Sequence, residues 1–139
     1  MEYNYAAKIL RVIDGDTVVA LLTKTITTEL DFGFKFKEKI IHERTFEVTL
    51  RLYGINTPEV HGVKLEEKQR GLAATERLKQ LLALGDVSLE SVKGTDLETD
   101  KYGRYLAKLK VTLPDGKVVD VNQTLIDLGY AVPYFGGKR

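Results

Sequence analysis

The sequence predicts an α+β fold, mainly β: a small closed barrel of strands with two or three helices packed on it and an extended β-hairpin inserted in its first half. Three observations carry that expectation. Apolar residues alternate at the two-residue period of a pleated strand through much of residues 7–53. A single long stretch, Leu65 to Leu84, changes to helical spacing. The resulting order of several strands, a helix, more strands and a final helix suits a strand barrel closed on itself with helices attached.

Each element has its own signal. Ala7 to Ile13 and Val18 to Leu22 read as strands flanking Asp14-Gly15, a dipeptide suited to the positive φ angles of a tight hairpin. Thr23 to Thr28 is rich in threonine, and Phe32, Phe34 and Phe36 alternate with Gly33 and Lys35. Residues 23–43 are therefore expected to form a long, partly exposed hairpin, with the three phenylalanines in the core or on a pairing edge in preference to the alternative that they stack on bases as aromatic platforms. Phe46, Val48, Leu50 and Leu52 alternate with Glu47, Thr49, Arg51 and Tyr53, which puts Arg51 on the face opposite the apolar set. Pro58 and Gly62 break the pattern. In the helix that follows, Leu78, Leu81 and Leu82 line one stripe, and Glu66 stands four residues before Arg70. Gly85-Asp86 ends the helix, and Val87 to Val92 and Tyr105 to Leu113 are strands. Pro114-Asp115-Gly116 turns the chain into Lys117 to Val119. Asp120 with Gln123 resembles a capping box for a short helix from Val121 to Leu128, with Gly129 at its C′ position.

Composition bounds the function. At 139 residues and 43% apolar content the chain is long enough for one domain, 1–139, and too short for two comfortable ones. A formal net charge of +1 argues against gripping long duplex DNA by charge alone, so a nucleic-acid partner would be held by a local cluster over a few nucleotides. The absence of cysteine excludes disulfides, thiolate metal sites and cysteine nucleophiles. The opening residues lack the apolar run of a secretory signal, and no stretch reads as a membrane span. A cytoplasmic chain is expected, or a secreted one if a leader has been removed, with no membrane partner.

Three blocks concentrate chemistry-bearing residues: Ile13-Asp14-Gly15-Asp16-Thr17, Arg51 with Asn56-Thr57-Pro58-Glu59, and Asp100-Lys101-Tyr102-Gly103-Arg104. Singly, each reads as a turn or a solvated charge. Together they supply carboxylates able to hold a hard cation, two guanidiniums and a spare glutamate, the groups needed to break a phosphodiester bond. In this fixed order, with Leu52-Tyr53-Gly54-Ile55 and Tyr105-Leu106-Ala107 alongside, the blocks resemble the staphylococcal nuclease (thermonuclease) family over roughly Ala7 to Tyr134.

The resemblance implies a five-stranded OB-fold barrel that hydrolyses DNA and RNA with calcium. In-line attack of water would displace the 5′-oxygen and leave 3′-phosphate ends. By position, Asp16 matches the main metal carboxylate, Asn56 the second carboxylate position and Thr57 the residue offering its backbone carbonyl. Glu59 matches the residue that orients or deprotonates water, and Arg51 and Arg104 match the pair that holds the phosphate. Lys101 and Tyr102 match contacts to a terminal phosphate and the nucleotide, and Tyr130 and Tyr134 match tyrosines flanking the cleft, although packing of the last helix explains those two equally well. Single-stranded or locally opened DNA and RNA are the expected partners.

Two departures stand out. Asn56 replaces the family's usual aspartate, removing one negative charge from the metal site while keeping a carbonyl oxygen. The stretch from Asp16 to Arg51 is also longer than in compact members, and its extra residues fall in the 23–43 hairpin, read as a longer barrel strand pair, a substrate flap or a protein (oligomer) contact surface. His42 in that insert and His61 on the loop after Glu59 have no relay partner and read as surface residues. The rival readings are a non-catalytic single-stranded nucleic-acid-binding module on the same barrel, and an interaction protein using the insert.

Overall fold

The computed structural model describes residues 4–60, 62–92 and 105–134. Strand β1 (Asn4–Asp14) turns through Gly15 and Asp16 into β2 (Thr17–Asp31), which returns as β3 (Lys35–Leu52). The short β4 (Ile55–Asn56) precedes helix α1 (Leu65–Leu82). Then follow β5 (Asp86–Ser91), β6 (Tyr105–Thr112), β7 (Val118–Asp120), helix α2 (Val121–Asp127) and β8 (Val132–Pro133).

Five strands close into a barrel in the order β3-β2-β1-β5-β6. The seam is sealed by parallel pairing of Leu50, Arg51 and Leu52 with Tyr105, Leu106 and Ala107. With its two helices this is the OB-fold architecture that the sequence predicts. Alternation fills the interior: Val18 and Ala20 from β2, Leu50 and Leu52 from β3, Leu89 from β5, and Leu109 and Val111 from β6 all point inward and are buried. Helix α1 closes the core with Leu78, Leu81 and Leu82, and α2 does so with Val121 and Leu125. Burying each such side chain contributes about 1.5–3 kcal/mol, so the stripe is what holds α1 to the barrel.

The helix ends follow local chemistry. Glu66 and Glu67 occupy the first turn of α1, where the helix dipole favours negative charge, although Lys64 provides no side-chain cap. Among the described residues no Glu66–Arg70 ion pair accompanies them. Asp120 caps α2 by accepting the Gln123 N–H at 3.0 Å, as the capping box predicts. Gly129, at φ +83°, provides the left-handed residue that ends the helix.

Two expectations need correction. Gly15 does not have a positive φ. It is required for space, because a Cβ there would lie 2.8 Å from Ala74 Cβ and 2.9 Å from the Thr57 side chain. The insert is a continuous two-stranded ribbon, in register from Thr17↔Arg51 to Glu29↔Lys39, but its phenylalanines are not core residues. Phe32, Phe34 and Phe36 are 64%, 66% and 42% exposed, with the Phe32 ring 6.4 Å and 5.6 Å from the other two. The cause is topological. The pairing of β1 with β2 ends at Ala7↔Leu22, so beyond Leu22 the ribbon leaves the barrel wall and no second layer covers it. No described helix is long and apolar enough to cross a membrane.

Candidate active site

One end of the barrel gathers the first two chemistry-bearing blocks. The β1–β2 turn carries Asp16, the last rungs of β3 carry Arg51, and β4 delivers Asn56 and Thr57. Leu52 N–H donates to the Asp16 carbonyl at 2.8 Å, tying the turn to the end of β3. Thr57 N–H donates to Asp16 Oδ2 at 3.1 Å across 41 residues of sequence, and the Thr17 hydroxyl donates to Oδ1 at 3.1 Å. Asp16 is consequently 5% exposed.

Arg51 lies on the barrel face opposite Leu50 and Leu52, as alternation predicts, yet it is only 7% exposed. Its Nη1 donates to the Leu52 carbonyl at 2.7 Å, and its Nη2 donates to the Ile55 carbonyl at 2.8 Å and to Asn56 Oδ1 at 3.4 Å. The same nitrogen lies 3.3 Å from Asp16 Oδ2. The chain curls around the guanidinium from Leu52 to Asn56 and fixes its plane.

Asp14 joins this cluster. Its Oδ1 accepts the Asp16 N–H at 3.1 Å. Burial, then the hydrogen bond to Asp16 and the charge of that neighbour, push the Asp14 carboxyl up to about 6. Burial also pushes the Asp16 carboxyl up. There, however, the hydrogen bond from Asp14, the Arg51 charge, the Thr57 N–H and the Thr17 hydroxyl outweigh it and leave the group below its ordinary value. The pair thus divides its protons unequally: below about pH 6 the proton sits on Asp14 and Asp16 is the ionised member.

Asp16, Asn56 and the Thr57 carbonyl offer only oxygen, which fits a hard divalent cation in kind. The set is poor in charge. Among the described residues no three His, Cys, Asp or Glu side chains gather to hold a metal.

Beside the cluster lies a cleft of about 470 Å³. Asn56, Thr57, Pro58 and Glu59 form one wall, Glu67 and Arg70 of α1 another, and Tyr130, Ala131 and Val132 a third. Glu59 therefore shares a cavity with Asn56 and Thr57. A two-residue sheet fastens this arrangement: Ile55 and Asn56 of β4 pair with Pro133 and Val132 of β8, and Tyr134 N–H donates to the Gly54 carbonyl at 2.9 Å. Tyr134 thus sits on the turn that leads into β4, and Tyr130 lines the cleft. Lys101, Tyr102, Arg104 and His61 lie outside the described residues.

Two positions that sequence reasoning missed shape the site. Gly71 lies inside α1, where a Cβ would meet the Pro58 carbonyl oxygen at 2.7 Å and that of Glu59 at 2.9 Å. Its absent side chain lets the helix lie against the loop that carries Glu59. A glycine within a helical pattern, costing about 1 kcal/mol relative to alanine, was the available signal. Asn122 is 6% exposed. It accepts the Leu109 N–H at 3.1 Å and donates to the Tyr53 carbonyl at 2.8 Å and the Ala107 carbonyl at 3.3 Å, joining α2 to β6 and to the turn beyond Arg51.

The family model described as staphylococcal nuclease homologue matches residues 49–139. The match takes in Arg51, Asn56, Thr57 and Glu59 and leaves the Asp14–Asp16 turn and the ribbon outside it. No curated protein matches the chain.

Proposed function

The chain belongs to the staphylococcal nuclease family, and on that premise we propose that it is a calcium-dependent nuclease acting on single-stranded or locally opened DNA and on RNA. The observation that carries the reading is the buried Arg51–Asp16 pair at 3.3 Å. A buried ion pair is seldom more stabilising than apolar side chains of the same volume, so its presence directly behind Asn56 and Thr57, which line the cleft, argues for use on a ligand.

In this mechanism Arg51, fixed by the Leu52 and Ile55 carbonyls, receives the phosphate and stabilises the charge that builds on its oxygens, and Arg104 is the second guanidinium. Glu59 orients a water and accepts its proton as the oxygen attacks phosphorus in line with the 5′-oxygen; the bond to that oxygen breaks, it takes up a proton from solvent water as a 5′-hydroxyl, and a 3′-phosphate is left. Lys101, Tyr102 and Tyr134 bind the flanking nucleotide. Bound by Asp16, Asn56 Oδ1 and the Thr57 carbonyl, calcium would supply positive charge at a non-bridging phosphate oxygen.

The test is digestion of single-stranded DNA and RNA with calcium or with a chelator. The expected result is calcium-dependent cleavage that drops at least about 100-fold in Glu59→Ala and Arg104→Ala. Absence of cleavage at any calcium concentration would overturn the reading, and a mobility shift without cleavage would reassign the chain as a binding module.

A further inference from the structure

The ribbon carries an unusual rung close to where it leaves the barrel. Lys24 on β2 and Arg44 on β3 are direct register partners, two residues beyond the Leu22↔Phe46 pair. By alternation they share the face that lines the core through Ala20↔Val48 and Val18↔Leu50. Both are exposed, and neither forms an ion pair among the described residues. Like charges directly opposite on neighbouring strands destabilise a sheet. The carboxylates nearby do not relieve them: between the barrel and the register shift past Glu29, Glu29, Glu43 and Glu47 all alternate onto the other face. On that face Glu29 pairs with Lys39, and Glu47 with Arg11, each at 3.6 Å.

Two aromatic rings complete the rung. Lys24 Nζ lies 5.9 Å from the centroid of Tyr5, and the Arg44 guanidinium lies 5.7 Å from that of Phe46, which is 45% exposed. Tyr5 packs against the core and supports Lys24 from below, whereas Phe46 is open, so the rung presents two unneutralised cations beside one exposed ring, which is what a phosphate with a neighbouring base requires. A second copy of this chain would not complement them, because the same face offers no carboxylate over this stretch.

We propose that Lys24 and Arg44, with the exposed Phe46 beside them, form a second site for single-stranded nucleic acid, a backbone phosphate lying between the cations and a neighbouring base stacking on the Phe46 ring. The proposal rests on the nuclease reading for its choice of polyanion. The rung is seven residues along each strand from Thr17↔Arg51, roughly 23 Å at about 3.3 Å per residue. The rung and Arg51 alternate onto opposite faces of the ribbon, so this length is a lower limit on the path between them; at the ~3.4 Å rise of a stacked strand it already exceeds a dinucleotide, which cannot occupy both sites.

The test compares the full chain with a Lys24→Gln/Arg44→Gln double variant and with Phe46→Leu. It measures binding to a fluorescent thirty-residue oligo-dT across a salt series, cleavage of a dinucleotide, thermal unfolding and sedimentation. The double variant is expected to bind the long strand about tenfold more weakly and to flatten its log–log salt dependence by about 0.7, the loss of one single-strand phosphate contact. Phe46→Leu should weaken binding without changing that slope. Dinucleotide cleavage should be unchanged, and the unfolding midpoint unchanged or higher because a like-charge pair is gone. An unchanged long-strand affinity and slope in the double variant overturns the proposal, as does a dimer that the double variant dissociates without loss of affinity. If the wild type cleaves the dinucleotide and the variants bind normally, only the second site falls. If binding is lost as expected and no protein cleaves, the second site stands and the nuclease reading falls.

Discussion

With Nη1 on the Leu52 carbonyl and Nη2 shared among the Ile55 carbonyl, Asn56 and Asp16, Arg51 has a plane as well as a charge. Lysine would keep the charge beside Asp16 and lose the fork. Arg51→Lys should therefore fold while kcat falls about 100- to 1,000-fold, whereas Arg51→Met, which leaves Asp16 buried without its cation, should cost about 3–5 kcal/mol in denaturant unfolding. Asn56→Asp restores a carboxylate facing Arg51 and should tighten calcium binding in a calorimetric titration. An unchanged affinity would remove Asn56 from the metal site. Asp14 gives a pH signature in the absence of metal. Its folded carboxyl titrates near 6, above its ordinary 3.8, so between those values the folded chain holds a proton that the unfolded chain has released. Its contribution to stability is present below about pH 4 and is lost as pH rises through 6. Asp14→Asn, which mimics the protonated form, should raise the unfolding midpoint at pH 7.5 and leave it unchanged at pH 4. The motif residues were legible because their types and order are specific. The burial of Arg51 was not, since strand alternation gives the face of a side chain and not what later folds over it.

Helix α1 is a support for the loop as much as a lid on the core. At Gly71 its backbone lies against the Pro58 and Glu59 carbonyls, so Gly71→Ala forces the loop outward. Displacing a catalytic group by an ångström costs up to about 100-fold, and this variant should show that loss in kcat with a retained circular-dichroism spectrum. Both helices were legible in the sequence, one from the leucine stripe and the other from Asp120 and Gly129, because each signal is local. The sheet of β4 and β8 was not, since two-residue strands have no period to read. The phenylalanines of the ribbon misled for a related reason. Alternation identified the strand correctly, but whether a second layer covers it depends on β1, which stops flanking β2 at Leu22.

Across the molecule, order is shared unequally between a closed barrel and a ribbon with no covering layer. Amides of the barrel strands are expected to exchange with solvent only on global unfolding, and those of residues 24–44 orders of magnitude faster, in a native-state hydrogen-exchange measurement. Barrel closure itself was inferred from element order, while the parallel seam between β3 and β6 came only from coordinates, since nothing in either strand names its partner. The pairing of Asn56 with Val132 also sets a timetable for synthesis. The loop carrying Glu59 leaves the ribosome early, but the strand that clasps its base is translated more than seventy residues later, so this wall of the cleft cannot be fastened in a nascent chain until that strand emerges.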